Sequence, residues 1–319
     1  MAVAEKSGGV PREAFKRVAE AFLISNMDEL MHQLRVLSAQ NDDLTNCIRD
    51  ASEGLQSVIS AATLPFQLTL ESVQQRHFDR HLAAERIRSL EDVPFGEQPS
   101  EQQEQKALDI ARRKMREFID SKEGTNSIRD SVVYEMNRSL TSSNISSAAK
   151  EMMVQTLVST WAVFEHFASS FVVAWLNHDP RRSRLILSAP ELKAYFGKQV
   201  VDIEAIDDHG FDLSRSMGSV IFRGRRLDNL TILRAVINAI FDEEYLRNAL
   251  GNELWMLNQK RHLFVHKRGL IDQEYLQRTG DKVTLGHRLS LSSNDIKTYI
   301  AAVQKAIVAI VSAAAAHTE

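Results

Sequence analysis

Cysteine is almost absent: Cys47 stands alone among 319 residues. That excludes an intrachain disulfide and any cysteine-rich zinc site. It fits a reducing compartment, so a cytoplasmic location is expected. Glycine (13) and proline (6) are scarce, while Ala, Leu, Glu, Gln, Arg and Ser are common. This composition favours helix over other classes. Charge of one sign is also lacking, since the formal net charge is −3. Wholesale polyanion binding is therefore excluded, and any nucleic-acid contact must come from a local patch. No apolar run approaches the roughly 18 residues of a membrane span, so no membrane association is expected. The stretch from Met1 to Gly9 lacks an apolar signal core. Glycine-rich nucleotide loops, a Gly-x-Ser-x-Gly elbow and internal repeats are all missing.

What is present is helical periodicity. Phe15, Val18, Phe22, Leu30, Leu34 and Leu37 recur at helical steps after Pro11, with a gap at Ser25-Asn26. They predict a long amphipathic helix. Asn41-Asp42-Asp43 caps a second helix to about Ala62. Pro65 interrupts it, and a third helix follows to about Leu90. Residues 91–105 mix Pro, Gly and acidic or amide residues and read as a linker. A break is expected at Gly124-Thr125-Asn126. A strong helix runs from Ser147 to about Asn177 with Met153, Leu157, Trp161, Phe164, Ala168 and Phe171 on one side. Residues 181–227 read as irregular with short helices. Helices over about 227–246 and 251–268 follow, then a short hairpin over Lys282–Leu291, then a final helix capped by Ser292 or Ser293.

The chemistry concentrates in Asn258-Gln259-Lys260-Arg261-His262-Leu263-Phe264-Val265-His266-Lys267-Arg268-Gly269. Histidine moves protons near neutral pH, and arginine clamps a phosphate and offsets charge developing on it. On an ideal helix Arg261 and His266 lie some 140° apart, at about 100° per residue. His262 and His266, four apart, share a face. A compact Arg–His pair therefore needs a distorted turn, a curled Arg or a second copy of the chain. Zinc is the alternative, because His262 and His266 have the spacing of paired ligands and His287 is a conceivable third. Leu263, however, stands where zincins need Glu. Glu165, amid large apolar residues, is costly to bury alone and is expected to pair with an arginine, Arg261 among the candidates. Two basic clusters, Arg181-Arg182-Ser183-Arg184 and Arg223-Gly224-Arg225-Arg226, are candidate contacts to a phosphate backbone, together with Lys260, Lys267 and Arg268.

Arg261, His262 and His266, followed by Gly269, Ile271 and Asp272, resemble the Arg-polar-x3-His signature and the Gly-hydrophobic-Asp continuation of HEPN-superfamily ribonucleases. The likeness covers roughly the C-terminal half. It implies an all-α bundle, a homodimer facing two motif helices into one cleft, and RNA cleavage without metal or cofactor. Arg261, His262 and His266 would be the catalytic residues, with Glu165 in support. Toxin–antitoxin or anti-phage contexts, with a regulatory protein partner, are frequent in that family. Many of its members are catalytically silent modules binding RNA, nucleotide or protein, and that is the alternative; a helical scaffold is a third. The expected organisation is an N-terminal helical region (1–125) of partner, sensing or dimerisation role and a HEPN-like helical domain (126–319).

Overall fold

The computed structural model describes residues 11–24, 28–39, 41–91, 93, 97–197, 203–225 and 227–317. Every regular element among them is helical, as the composition demands. The helices are α1 (Arg12–Ala21), α2 (Asp28–Arg35), α3 (Asp42–Leu90), α4 (Glu101–Asp120), α5 (Lys122–Ser139) and α6 (Ser143–His178). Short ones follow: α7 (Ser183–Ser188), α8 (Lys193–Phe196), α9 (Ile203–Asp207) and α10 (Met217–Ile221). Then come α11 (Leu230–Phe241), α12 (Glu244–Ala249), α13 (Asn252–Lys267), α14 (Gln273–Thr279) and α15 (Ser293–Ala316). Two 3-10 turns, Pro180–Arg182 and Pro190–Leu192, precede α7 and α8.

Contacts divide the chain into two compact units, and not at residue 125. One comprises Met1–Ile24 with Thr63–Ala149; the other comprises Ser25–Ala62 with Lys150–Glu319. Two of the three boundaries fall inside α3 and α6, because both helices run on well past the point where their neighbours change. In the first unit α5 packs against α1 and α4. In the second, α15 packs against α2, α11, α12 and α13.

Several local expectations are corrected. The N-terminal periodicity belongs to two helices, α1 and α2, because the backbone at Phe22 is extended; residues 25–27 lie outside the described set. Pro65 does not end a helix. α3 continues through it, losing one backbone donor, and Thr69 Oγ1 donates to the Pro65 carbonyl at 2.7 Å. The break placed at Gly124 falls at Ser121, whose hydroxyl accepts from the Gly124 N–H at 2.9 Å and caps α5. Gly124 is a packing glycine: a Cβ there would lie 1.8 Å from the Phe118 carbonyl oxygen. The helix expected to reach residue 246 stops at Phe241, where Asp242 takes a left-handed conformation (φ 46°).

The hairpin over 282–291 is also replaced. Its backbone pairs with the segment after α13: Ile271 N–H donates to the His287 carbonyl and Gly286 N–H to the Ile271 carbonyl, each at 2.9 Å. A single bridge, Leu270 to Arg288, is the only β pairing among the described residues.

The core of the second unit gathers on α6, where Trp161, Phe164, Phe167, Phe171 and Trp175 are all at most 2% exposed. Burying each such side chain is worth about 1.5–3 kcal/mol. α3 approaches α6 where Gly54 meets Val163; a Cβ on Gly54 would sit 3.0 Å from the Val163 side chain. Gly218 of α10 abuts the Val173 carbonyl of α6, and Asn177 brackets the adjacent Ser219 with two hydrogen bonds of 3.1 Å. This pins the irregular stretch to the core. Where the sequence reading expects no membrane-length helix, α6 and α15 are long and apolar enough by length and composition. Much of each is buried in the protein, with Ile300, Val303, Ile307 and Ile310 of α15 at 0% exposure. That is how core helices behave, so the case for a membrane span is weak.

Candidate functional site

α13 carries the Arg-His-x3-His motif as continuous α-helix to Lys267. Leu254, Leu257, Lys260 and Leu263 form its buried face. His262, Val265 and His266 are exposed, and Arg261 is half-buried. At about 100° per residue, Arg261 and His266 mark the two edges of the exposed stripe, with Val265 and His262 between them. No distorted turn brings the two together. The two imidazoles do meet: the rings of His262 and His266 lie 4.5 Å apart, centroid to centroid.

Electrostatics act on His262. Partial burial holds His262 below the ordinary histidine value, and the neighbouring His266, Lys267 and Arg261 push the same way against Glu274. His262 therefore stays neutral to a lower pH than a free histidine, and neutral imidazole is the base-competent form. Proton NMR should show His262 titrating below the normal range and moving upward in His266→Gln. An unchanged midpoint in the variant would disprove the coupling.

The end of the motif helix is built for chain reversal. Arg268 takes φ 50° and Gly269 φ 75°. A Cβ on Gly269 would lie 2.7 Å from the Phe264 ring, so glycine is required there twice over. Ile271 joins Leu263 and Tyr275 in a small buried cluster. Asp272 caps α14, accepting from Tyr275 N–H at 2.8 Å, and also pairs with Lys267. The Gly269–Ile271–Asp272 continuation thus has a complete structural explanation of its own.

The remaining expected site residues separate into engaged and free. Among the described residues Glu165 pairs with no arginine; its carboxylate accepts from Trp161 Nε1 at 2.6 Å on the same helix, since four residues along α6 bring the two side chains together. Lys260 is buried, bonded to Asp295 at 3.3 Å and placed over the Tyr299 ring. Although burial opposes it, Tyr299 and Asp295 hold this ammonium above the ordinary lysine value. Lys267 is neutralised by Asp272 and Glu274. Arg182 pairs with Asp179 at 2.8 Å, lies over Trp175 and donates to the His317 carbonyl. Arg223 pairs with Asp208 at 2.9 Å, and Arg225 donates to the carbonyls of Ile221 and Phe196. Arg226 lies outside the described residues. Arg181, Arg184 and Arg268 are exposed and make no ion pair among the described residues. His287 stands apart from the histidine pair as a ligand: no group of three or more His, Cys, Asp or Glu gathers among the described residues.

Two features escape the motif reading. The same Arg-His-x3-His spacing recurs at Arg76-His77-Phe78-Asp79-Arg80-His81 of α3. There both imidazoles lie against Phe118, at 5.0 and 5.8 Å, and Arg76 pairs with Glu135 at 3.2 Å. The spacing serves packing as readily as chemistry. The second feature is a pocket of about 500 Å³ at the start of α13, lined by Arg234, Asn238, Arg247 and Trp255. Its residues come from three helices, so no contiguous signal marks it. No protein-family model, curated protein or solved structure matches this chain.

Proposed function

We propose that this chain is a metal-independent endoribonuclease of HEPN type, acting as a homodimer in the cytoplasm. The observation that carries the reading is the exposed His262–His266 pair, 4.5 Å between rings, on a stripe edged by Arg261. A histidine takes the proton of a ribose 2′-OH. The 2′ oxygen attacks the adjacent phosphorus, the bond to the 5′ oxygen breaks, and a protonated histidine returns a proton to that leaving oxygen. The products are a 2′,3′-cyclic phosphate and a 5′-OH. Arg261 offsets the charge on the phosphorane. A second copy of α13 across the stripe supplies what one copy separates by 140°. Val265, 46% exposed, together with Leu270 (48%) and Leu285 (53%), gives apolar surface for such a contact. Arg181, Arg184 and Arg268 are the cations left free to meet the RNA backbone. A toxin or anti-phage effector held in check by a regulatory partner is the biological setting this chemistry fits.

A second reading has its own support. Arg261 Nε is buried with no hydrogen-bond partner, and one copy alone does not present Arg261 with His266. A chain that stays monomeric would bind RNA, nucleotide or a protein without cutting. Purified protein with end-labelled RNA in EDTA separates the two. Cleavage with cyclic phosphate ends, and a dimer by light scattering, is the expected result. Activity abolished by chelation and restored by one divalent ion, or cleavage by a monomer, would overturn the mechanism.

A further inference from the structure

The pocket at the start of α13 gathers positive charge that its own lining does not neutralise. Arg234 of α11 is half-buried. Its Nη2 donates to the Gly251 carbonyl at 2.6 Å, and its Nε is buried without a partner. Asn238, one turn on, has a buried Oδ1 that is also unpartnered. No carboxylate lines the pocket. Burial lowers the Arg234 guanidinium from its ordinary value. Buried cations are ordinarily paired, because an unpaired one is costly. Arg247 adds a second guanidinium, whose charge Asp242 offsets in part from outside the pocket and which a phosphate would have to share. The first turn of α13 opens at Gly251 with no side-chain cap and carries Glu253; Gly251 and Asn252 line the pocket, so the positive end of the helix dipole lies beside it.

Trp255 supplies the other half of the site. Of three tryptophans, Trp161 (1% exposed) and Trp175 (2%) are core residues, whereas Trp255 is only partly buried and lines the pocket. It lies seven residues before His262. Two helical turns, about 10 Å, bring it back to nearly the same face of α13.

We propose that this pocket binds a nucleotide, with its phosphate held by Arg234, Arg247 and the start of α13 and its base stacked on Trp255. Arginine forks match phosphate oxygens in pairs, and an indole face accepts any base without reading its identity. Only the choice of nucleotide over other phosphates rests on the RNA reading above. An RNA strand laid along α13 would place one nucleotide here and its neighbours over His262 and His266.

The test uses full-length protein carrying His266→Ala, so that added RNA stays intact. Tryptophan emission is followed while adenosine 5′-monophosphate, adenosine or a short oligoribonucleotide is titrated, with calorimetry in parallel. The monophosphate should quench, and adenosine should bind at least about tenfold more weakly, the loss of one charge-assisted contact. Arg247→Gln, a surface change that the fold tolerates, should weaken the monophosphate about tenfold. Trp255→Phe should abolish the quenching while calorimetry still reports binding. Equal affinity for adenosine and its monophosphate overturns the phosphate assignment. So does unchanged affinity in both Arg247→Gln and Arg234→Gln, or no response to any ligand. Nucleotide binding by a protein whose wild type cuts no RNA upholds the site and removes the nuclease reading; RNA cleavage without nucleotide binding here does the reverse.

Discussion

Replacing His266 with alanine is expected to slow RNA cleavage by about 10²-fold or more, the usual loss of a positioned acid or base. Arg261→Ala should cost about as much, because nothing else on the stripe offsets the charge of the phosphorane. Arg261 is only half-buried, and Leu263 and Leu257 rather than Arg261 fill the buried face, so both variants should keep their helical circular dichroism and melting temperature. Arg268→Ala, at an exposed left-handed position, should change cleavage by far less. Mixing the two inactive variants is informative. In a dimer whose site draws Arg261 from one copy and His266 from the other, heterodimers regain part of the activity. Wild-type rates in both single variants would refute the assignment.

Trp161→Ala should destabilise the second unit by about 3–5 kcal/mol, the range for emptying a large aromatic site. Trp161 is 1% exposed and lies 5.6 Å from the Phe164 ring. Its Nε1 is the donor that satisfies Glu165. Trp161→Phe separates the two contributions. It keeps most of the apolar volume but strands the carboxylate, so a smaller loss of about 1–3 kcal/mol is expected. Glu165→Gln in the same background should then recover part of that loss. Urea melts followed by circular dichroism measure all three. A Glu165→Gln change that costs as much as Trp161→Ala would mean that Glu165 has a more important partner than the indole.

Local order was legible where a residue's role depends on its near neighbours. The apolar spacing of α6, its end near Asn177 and the Ser292 cap of α15 all follow from contacts within a few residues. Long-range contacts decided the rest. Pro65 looks like a terminator, yet α3 continues through it for 49 residues in all, so the rest of the helix outweighs the roughly 3 kcal/mol that an interior proline costs. Lys282–Leu291 alternates like a hairpin, but its hydrogen bonds go to residues 269–271, which alternation cannot reveal. The site divides the same way. Spacing correctly pairs His262 with His266, whereas Glu165 found its partner four residues away rather than across the fold. The Arg234 pocket is assembled from α11, α12 and α13, so its chemistry exists only once those helices have packed. The recurrence of the motif spacing at Arg76–His81, with its imidazoles spent on Phe118, shows why a short pattern needs its surroundings before it means anything.

The interleaved division of the chain bears on how it is made. A ribosome finishes the first unit, ending at Ala149, while much of the second is still untranslated. Yet α2 belongs to that second unit and packs on α15, with Gln304 donating to Gln33 across 271 residues of sequence. At roughly 5–20 residues per second, α2 waits roughly ten seconds to a minute for its partner to emerge. Met31 and Leu34 are almost fully buried in the finished protein, and the cover that α15 gives α2 arrives only then. Until then the nascent chain carries an amphipathic helix that lacks its α15 neighbour. Deleting α15 would leave α2 without that neighbour and more open to chaperones and proteases.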